Sequence, residues 1–162
     1  DPDMARAVTK EVCQYFSRPV IIKLSPNVTD ITEIAAAVEK AGADAVSLIN
    51  TVLGLAIDTG SCRPKLANIF GGLSGPAIKP IALRMVWQVA SAVSIPIIGI
   101  GGITTPEDAI EYILAGACAV QVGTTNFINP RATEEIIQGI GAFLVENKMA
   151  SIQDLIGRAR QV

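Results

Sequence analysis

Short apolar runs set the rhythm of this chain. Residues 20–24, 45–49, 96–100 and 119–122 are rich in Val, Ile, Leu or Ala and are too short for helices. Runs of this kind read as strands of a parallel sheet, buried on both faces. Between them the apolar spacing becomes helical. A first helix is expected over residues 5–16. Asp30 and Glu33 form a capping-box pattern ahead of an Ile34, Ala35, Val38, Ala41 stripe, and Gly42 stops that helix. A third helix is expected over 80–93, with Pro80 in its first turn. Thr105 as cap and Pro106 at the first helical position open a fourth, which Gly116 ends. Two more helices are expected around 134–146 and 151–160. The Gly-, Pro- and Ser-rich stretch from 52 to 77 reads as one long loop, of a length that is usually functional or mobile.

The pattern occurs twice. Pro19-Val20-Ile21-Ile22 is echoed by Pro96-Ile97-Ile98-Gly99, and Ala41-Gly42-Ala43-Asp44-Ala45-Val46 by Ala115-Gly116-Ala117-Cys118-Ala119-Val120. Each copy is a strand, a helix and a second strand. Four βα units without a hairpin signal give an α/β fold with a parallel sheet. A free-standing doubly wound sheet and half of a (β/α)8 barrel, which takes roughly 250 residues when whole, both satisfy this. The repeated Ala-Gly-Ala turn and the glycines at the last two strand ends favour the C-terminal half of a TIM barrel. The opening Asp1-Pro2-Asp3-Met4 reads as the continuation of a longer protein and points the same way.

Composition narrows the function classes. Half of the residues are hydrophobic but only 4% are aromatic, so aliphatic side chains must build the core. The formal net charge is −2 with no basic cluster, which leaves nucleic acid without an electrostatic footprint. No apolar run reaches membrane-spanning length, and no charged-then-apolar leader opens the sequence. Cys13, Cys62 and Cys118 are odd in number and lack metal-ligand spacing; they read as reduced thiols in a cytoplasmic protein. Histidine is absent, so imidazole chemistry cannot arise within this chain.

Candidate chemistry sits at the strand ends, where α/β folds bind ligands. Lys23, in Lys23-Leu24-Ser25-Pro26-Asn27, is poorly explained by packing and well explained by an anionic or electron-rich ligand. A fixed ammonium there would stabilise the charge of a reduced flavin. Asn50 and Thr51 end the second strand. Asn50 can pair with an amide edge or a carboxylate, or can simply form the turn. Gly71-Gly72-Leu73-Ser74-Gly75-Pro76 is neither a Walker motif nor a dinucleotide fingerprint, but it allows close backbone approach to a planar cofactor or a phosphate. Gly101-Gly102 and Gly123-Thr124 follow the last two strands. They match the phosphate-binding loops of barrels, which are helped by a helix N-terminus.

Taken in order, Lys23-Leu24-Ser25-Pro26-Asn27-Val28-Thr29-Asp30, Ile49-Asn50-Thr51, the stretch from Gly71 to Lys79-Pro80, Ile98-Gly99-Ile100-Gly101-Gly102 and Val122-Gly123-Thr124 resemble the dihydroorotate dehydrogenase family. The Lys-Leu-Ser-Pro-Asn form is similar to its class 1, NAD-linked type B catalytic subunits. The resemblance implies the C-terminal half of an FMN-binding (β/α)8 barrel. It implies that Lys23 contacts the isoalloxazine ring and that Ile49 lies against it. Gly75, Gly101, Gly102, Gly123 and Thr124 would hold the ribityl chain and phosphate, while Asn50 and Thr51 would bind dihydroorotate or orotate. The family's type B base is a cysteine from the first half of the barrel, and none of the three cysteines here stands at a matching position. No catalytic base is therefore expected in this chain. The resemblance also implies a partner subunit carrying an iron–sulfur cluster and FAD, which passes electrons to NAD.

Two other readings share these motifs. One is a domain similar to dihydropyrimidine dehydrogenase, although Ile49-Asn50-Thr51 and Leu73-Ser74-Gly75-Pro76-Ala77-Ile78-Lys79-Pro80 favour dihydroorotate. The other is a half-barrel that binds FMN or phosphate without redox work. A half-barrel would expose two sheet edges, so self-association into a homo-oligomer, or pairing with the missing half, is expected.

Overall fold

The computed structural model describes residues 1–161. Asp1 caps α1 (Pro2–Tyr15), accepting from the Asp3 and Met4 amides, and Pro2 occupies the first turn. The opening Asp-Pro-Asp is thus a helix start, earlier than the expected residue 5. β1 (Ile21–Leu24) leads through α2 (Ile31–Lys40) to β2 (Ala45–Leu48). Asp30 caps α2 as expected, but Thr32 is its partner through both amide and hydroxyl, at 2.8 and 2.6 Å, and Glu33 does not complete a box.

Residues 52–73 are not one loop. β3 (Val52–Leu55) pairs antiparallel with β6 (Phe70–Leu73), and β4 (Ile57–Asp58) pairs with β5 (Arg63–Pro64) at the tip. Glycines at 54, 71 and 72 mask this hairpin, because glycine within a strand lowers its propensity. Gly72 has a steric role: a Cβ there would run into the Thr51 side chain. A 3₁₀ turn (Pro76–Ile78) then opens α3 (Lys79–Val89), followed by β7 (Ile97–Ile100), α4 (Pro106–Ala115) and β8 (Ala119–Gln121). A short α5 (Thr125–Ile128), absent from the sequence reading, precedes α6 (Ala132–Glu146). The helix expected over 151–160 is instead two 3₁₀ turns (Ile152–Leu155 and Arg158–Arg160) separated by Gly157 at φ 69°. A left-handed residue cannot continue a helix.

β1, β2, β7 and β8 form one parallel sheet in that order. A doubly wound sheet reverses strand order at a switch point. Here the order follows the chain without reversal, as the half-barrel reading requires. The core lies between one face of this sheet and α2, α3 and α4. Val38, Val46, Leu48, Val86, Val89 and Tyr112 are fully buried there, each contributing roughly 1.5–3 kcal/mol. The other face is open along its edges. β1 is an edge strand with Ile21 and Lys23 exposed, and on β8 Ala119 and Gln121 are exposed. Burial on both faces therefore holds for β2 and fails for the two edges.

One ion cluster ties α3 to α4. The Lys79 ammonium lies 2.6 Å from Asp108 and 2.9 Å from Glu111. The second Asp108 oxygen accepts from the Thr104 amide and hydroxyl and from the Thr105 amide, at 2.7–3.0 Å. Burial pushes this carboxyl up, but the Lys79 and Thr104 bonds together outweigh it and hold its pKa at about 2. The same contacts raise Lys79. Because the folded value lies below the ordinary one, the stabilisation is complete above about pH 4 and fades as pH falls towards 2. Asp108→Asn should therefore cost about 2 kcal/mol at neutral pH, with the deficit shrinking across that acid window. Urea unfolding at constant ionic strength checks this, and a pH-independent deficit would contradict it.

Candidate active site

The parallel register fixes which side chains share the open face. Lys23, Ser47, Ile98 and Ala119 are aligned across the four strands, and Ile100 is aligned with Gln121 one step further on. Side chains alternate along a strand, so Lys23, Ile49, Ile100 and Gln121 face the same way. At the carboxyl ends of the strands they line a cavity of about 160 Å³. All nine residues singled out in the sequence line this one cavity: Lys23, Ile49, Asn50, Thr51, Gly75, Gly101, Gly102, Gly123 and Thr124.

Hydrogen bonds between neighbouring strand exits hold the rim. The Ile49 amide donates to the Ile100 carbonyl at 2.9 Å, and the Asn50 amide to the Leu24 carbonyl at 3.0 Å. The Leu48–Ile49 peptide is cis. Asn27 braces the next segment from both sides. Its amide nitrogen donates to the Thr51 carbonyl and its oxygen accepts from the Leu53 amide, each at 3.0 Å. Asparagine suits this position because its side chain carries both a donor and an acceptor. Across the cavity the Thr124 hydroxyl donates to the Ser74 hydroxyl at 2.9 Å, joining the segment after β6 to the exit of β8.

Charge is unevenly placed. Among the described residues Lys23 is the only ionisable side chain on the cavity wall, and it makes no ion pair. At the other end, the backbone N–H groups of Gly102, Gly123 and Thr124 donate to no group among the described residues. A Cβ built on Gly123 would meet nothing within 4 Å, which leaves room for a ligand against the backbone. Gly75, Gly101 and Gly102 have φ of 89°, 137° and 68°, in the region that glycine tolerates. A cation at one end and unpaired amides at the other fit a phosphorylated, electron-rich ring. The N-terminus of α4 is not part of this anion site, because Thr105 and Asp108 close it with their own capping box.

Sequence reasoning left out Ser74, Ile78, Ile100, Ile103, Gln121 and Thr125, which also line the cavity. Gln121 carried a usable signal as the single polar side chain in an otherwise apolar strand. Ser74 lay inside a motif already noted for its glycines. Among the described residues no carboxylate or thiol lines the cavity. The free thiols lie elsewhere: Cys13 donates to the Gly42 carbonyl, Cys62 sits at the hairpin tip, and Cys118 precedes β8. Among the described residues no helix is long and apolar enough to cross a membrane, and no cluster of acidic or thiol side chains could hold a metal.

Residues 1–144 match a family model described as dihydroorotate dehydrogenase. The chain is 62% identical to the dihydroorotate dehydrogenase B (NAD(+)) catalytic subunit of Desulforamulus reducens, over 96% of this chain and 51% of the relative. It is 58% identical to the subunit of the same name from Alkaliphilus oremlandii, over 98% and 52%. The identity is also 58% to that from Geotalea uraniireducens, over 97% and 52%. The chain thus spans about half the length of the curated relatives it matches. With four parallel strands in chain order, a family match over most of its length and close relatives throughout, the chain belongs to the dihydroorotate dehydrogenase family, a family of (β/α)8 barrels.

Proposed function

We propose that this chain forms the C-terminal half of a (β/α)8 barrel that binds FMN and oxidises dihydroorotate to orotate in pyrimidine synthesis. The observation that carries the reading is the convergence of all nine candidate residues on one cavity at the strand ends. When bound, FMN would supply the hydride acceptor. Lys23 would lie beside the ring, where its ammonium favours added negative charge. Ile49, which is buried, would support the ring from the strand side. Gly75, Gly101, Gly102, Gly123 and Thr124 would hold the ribityl chain and phosphate through backbone contact. Asn50 and Thr51 would orient the substrate, the asparagine offering two donors and an acceptor to its amide, imide or carboxylate groups.

Proton removal from the substrate needs a base, which we assign on the family resemblance to the half of the barrel outside this chain. The relatives' names, NAD(+) and catalytic subunit, support a second subunit that takes the electrons onward. We assign it an iron–sulfur cluster and FAD on the family resemblance, and a cytoplasmic location to the whole. The open sheet edges support association with the other half of the barrel and, beyond it, a homo-oligomer.

Lys23→Ala in the complete protein should slow flavin reduction and lower the flavin potential by about 20–40 mV, the equivalent of roughly 1–2 kcal/mol. Potentiometric titration and stopped-flow reduction measure both, and unchanged values would remove Lys23 from the ring. The chain by itself should oxidise dihydroorotate about 10²- to 10⁴-fold more slowly than the complete barrel, for want of the base. Comparable rates would show that the base lies within these residues. Uracil reduction by the complete protein without dihydroorotate oxidation would overturn the choice of substrate.

A further inference from the structure

Two buried hydroxyls hold the turn after β7. Tyr112, fully buried on α4, donates to the Gly101 carbonyl at 2.6 Å. Thr125, buried on α5, donates to the Ile103 carbonyl at 2.7 Å. Tyr112 reaches Gly101 because residue 99 is glycine: a Cβ on Gly99 would run into its ring. Burial, ahead of the nearby Asp108 and Glu111 charges, raises its phenol above the ordinary range, so the hydroxyl remains a donor.

A trans peptide is planar, with its C=O and N–H pointing in opposite directions. The Gly101 carbonyl and the Gly102 N–H belong to one such unit. Fixing the carbonyl on Tyr112 therefore fixes the direction of the Gly102 N–H, which has no partner among the described residues. The Ile103–Thr104 unit is held at both ends, its oxygen by Thr125 and its N–H by Asp108 at 2.8 Å. Neither carbonyl is free to turn towards an anion.

We infer that Tyr112 and Thr125 are positioning residues for the phosphate end of the flavin: their hydroxyls occupy the Gly101 and Ile103 carbonyls so that the turn presents the Gly102 N–H, and neither carbonyl, to the ligand. The inference rests on the FMN reading, and its test separates the two. Riboflavin carries the same ring and ribityl chain without the phosphate. FMN and riboflavin are titrated into flavin-free complete protein, wild type and variants, at fixed ionic strength. Wild type should bind FMN more tightly than riboflavin. Tyr112→Phe should weaken FMN about tenfold and Thr125→Val about fivefold, with riboflavin changed less than about twofold. Thr125→Ser, which restores the hydroxyl, should return FMN affinity to near wild type.

Equal losses for both flavins would assign these hydroxyls to stability alone and overturn the inference, as would no loss for either. Should Tyr112→Phe fail to fold, the Thr125 pair decides. A wild type that shows no preference for FMN would overturn the phosphate reading itself, and this inference with it.

Discussion

Parallel pairing in chain order is the constraint on which everything else rests. Because β1, β2, β7 and β8 lie side by side in sequence order, all four carboxyl ends emerge at one rim. Because each is joined to the next by a connection that includes a packed helix, the helices share one face. The other face is left for Lys23, Ile49, Ile100 and Gln121. Register then sets the depth of each group. A one-residue slip in β1 would turn Lys23 into the helix layer and Leu24 into the cavity.

The rim separates charge in a way that suits a ligand with two unlike ends. Among the described residues, Lys23 makes no ion pair at one end and the amides at the other have no partner. The neighbouring acids are kept back. Asp108 is spent on Lys79 and on the Thr104 and Thr105 amides, and Glu111 on Lys79. Two lysines thus have different fates. Lys79 is satisfied within the scaffold and clamps α3 to α4, whereas Lys23 makes no ion pair among the described residues and remains available to a ligand.

Glycine serves two separate purposes here. Gly99 makes room for the Tyr112 ring, and Gly72 makes room for Thr51, so both act through packing. Gly101 and Gly102 act through backbone conformation as well as packing, with positive φ at a point where the turns after β6 and β7 meet. A Cβ on Gly102 would lie 2.8 Å from the Lys79 amide nitrogen and 2.9 Å from the Gly75 carbonyl. The segment that leads into α3 and the turn after β7 are therefore built as a matched pair.

Local signals were enough for much of this protein. Apolar runs located the four parallel strands, the Thr105-Pro106 and Asp30 caps located helix starts, and strand-end position pointed to Lys23, Asn50 and the glycine turns. These features depend on residues close together in sequence, where period, cap chemistry and glycine content can be read directly. Tertiary structure decided the rest. Pairing of Val52–Leu55 with Phe70–Leu73 joins segments about fifteen residues apart through glycines that argue against strands. Solvent reaches β1 and β8 because of where they stand in the sheet, and nothing in their composition marks them as edges. The roles of Tyr112, Thr125 and Asn27 come from hydrogen bonds to backbone 11, 22 and 24–26 residues away. A side chain's type declares what it can donate or accept, but only the folded backbone brings a partner within reach.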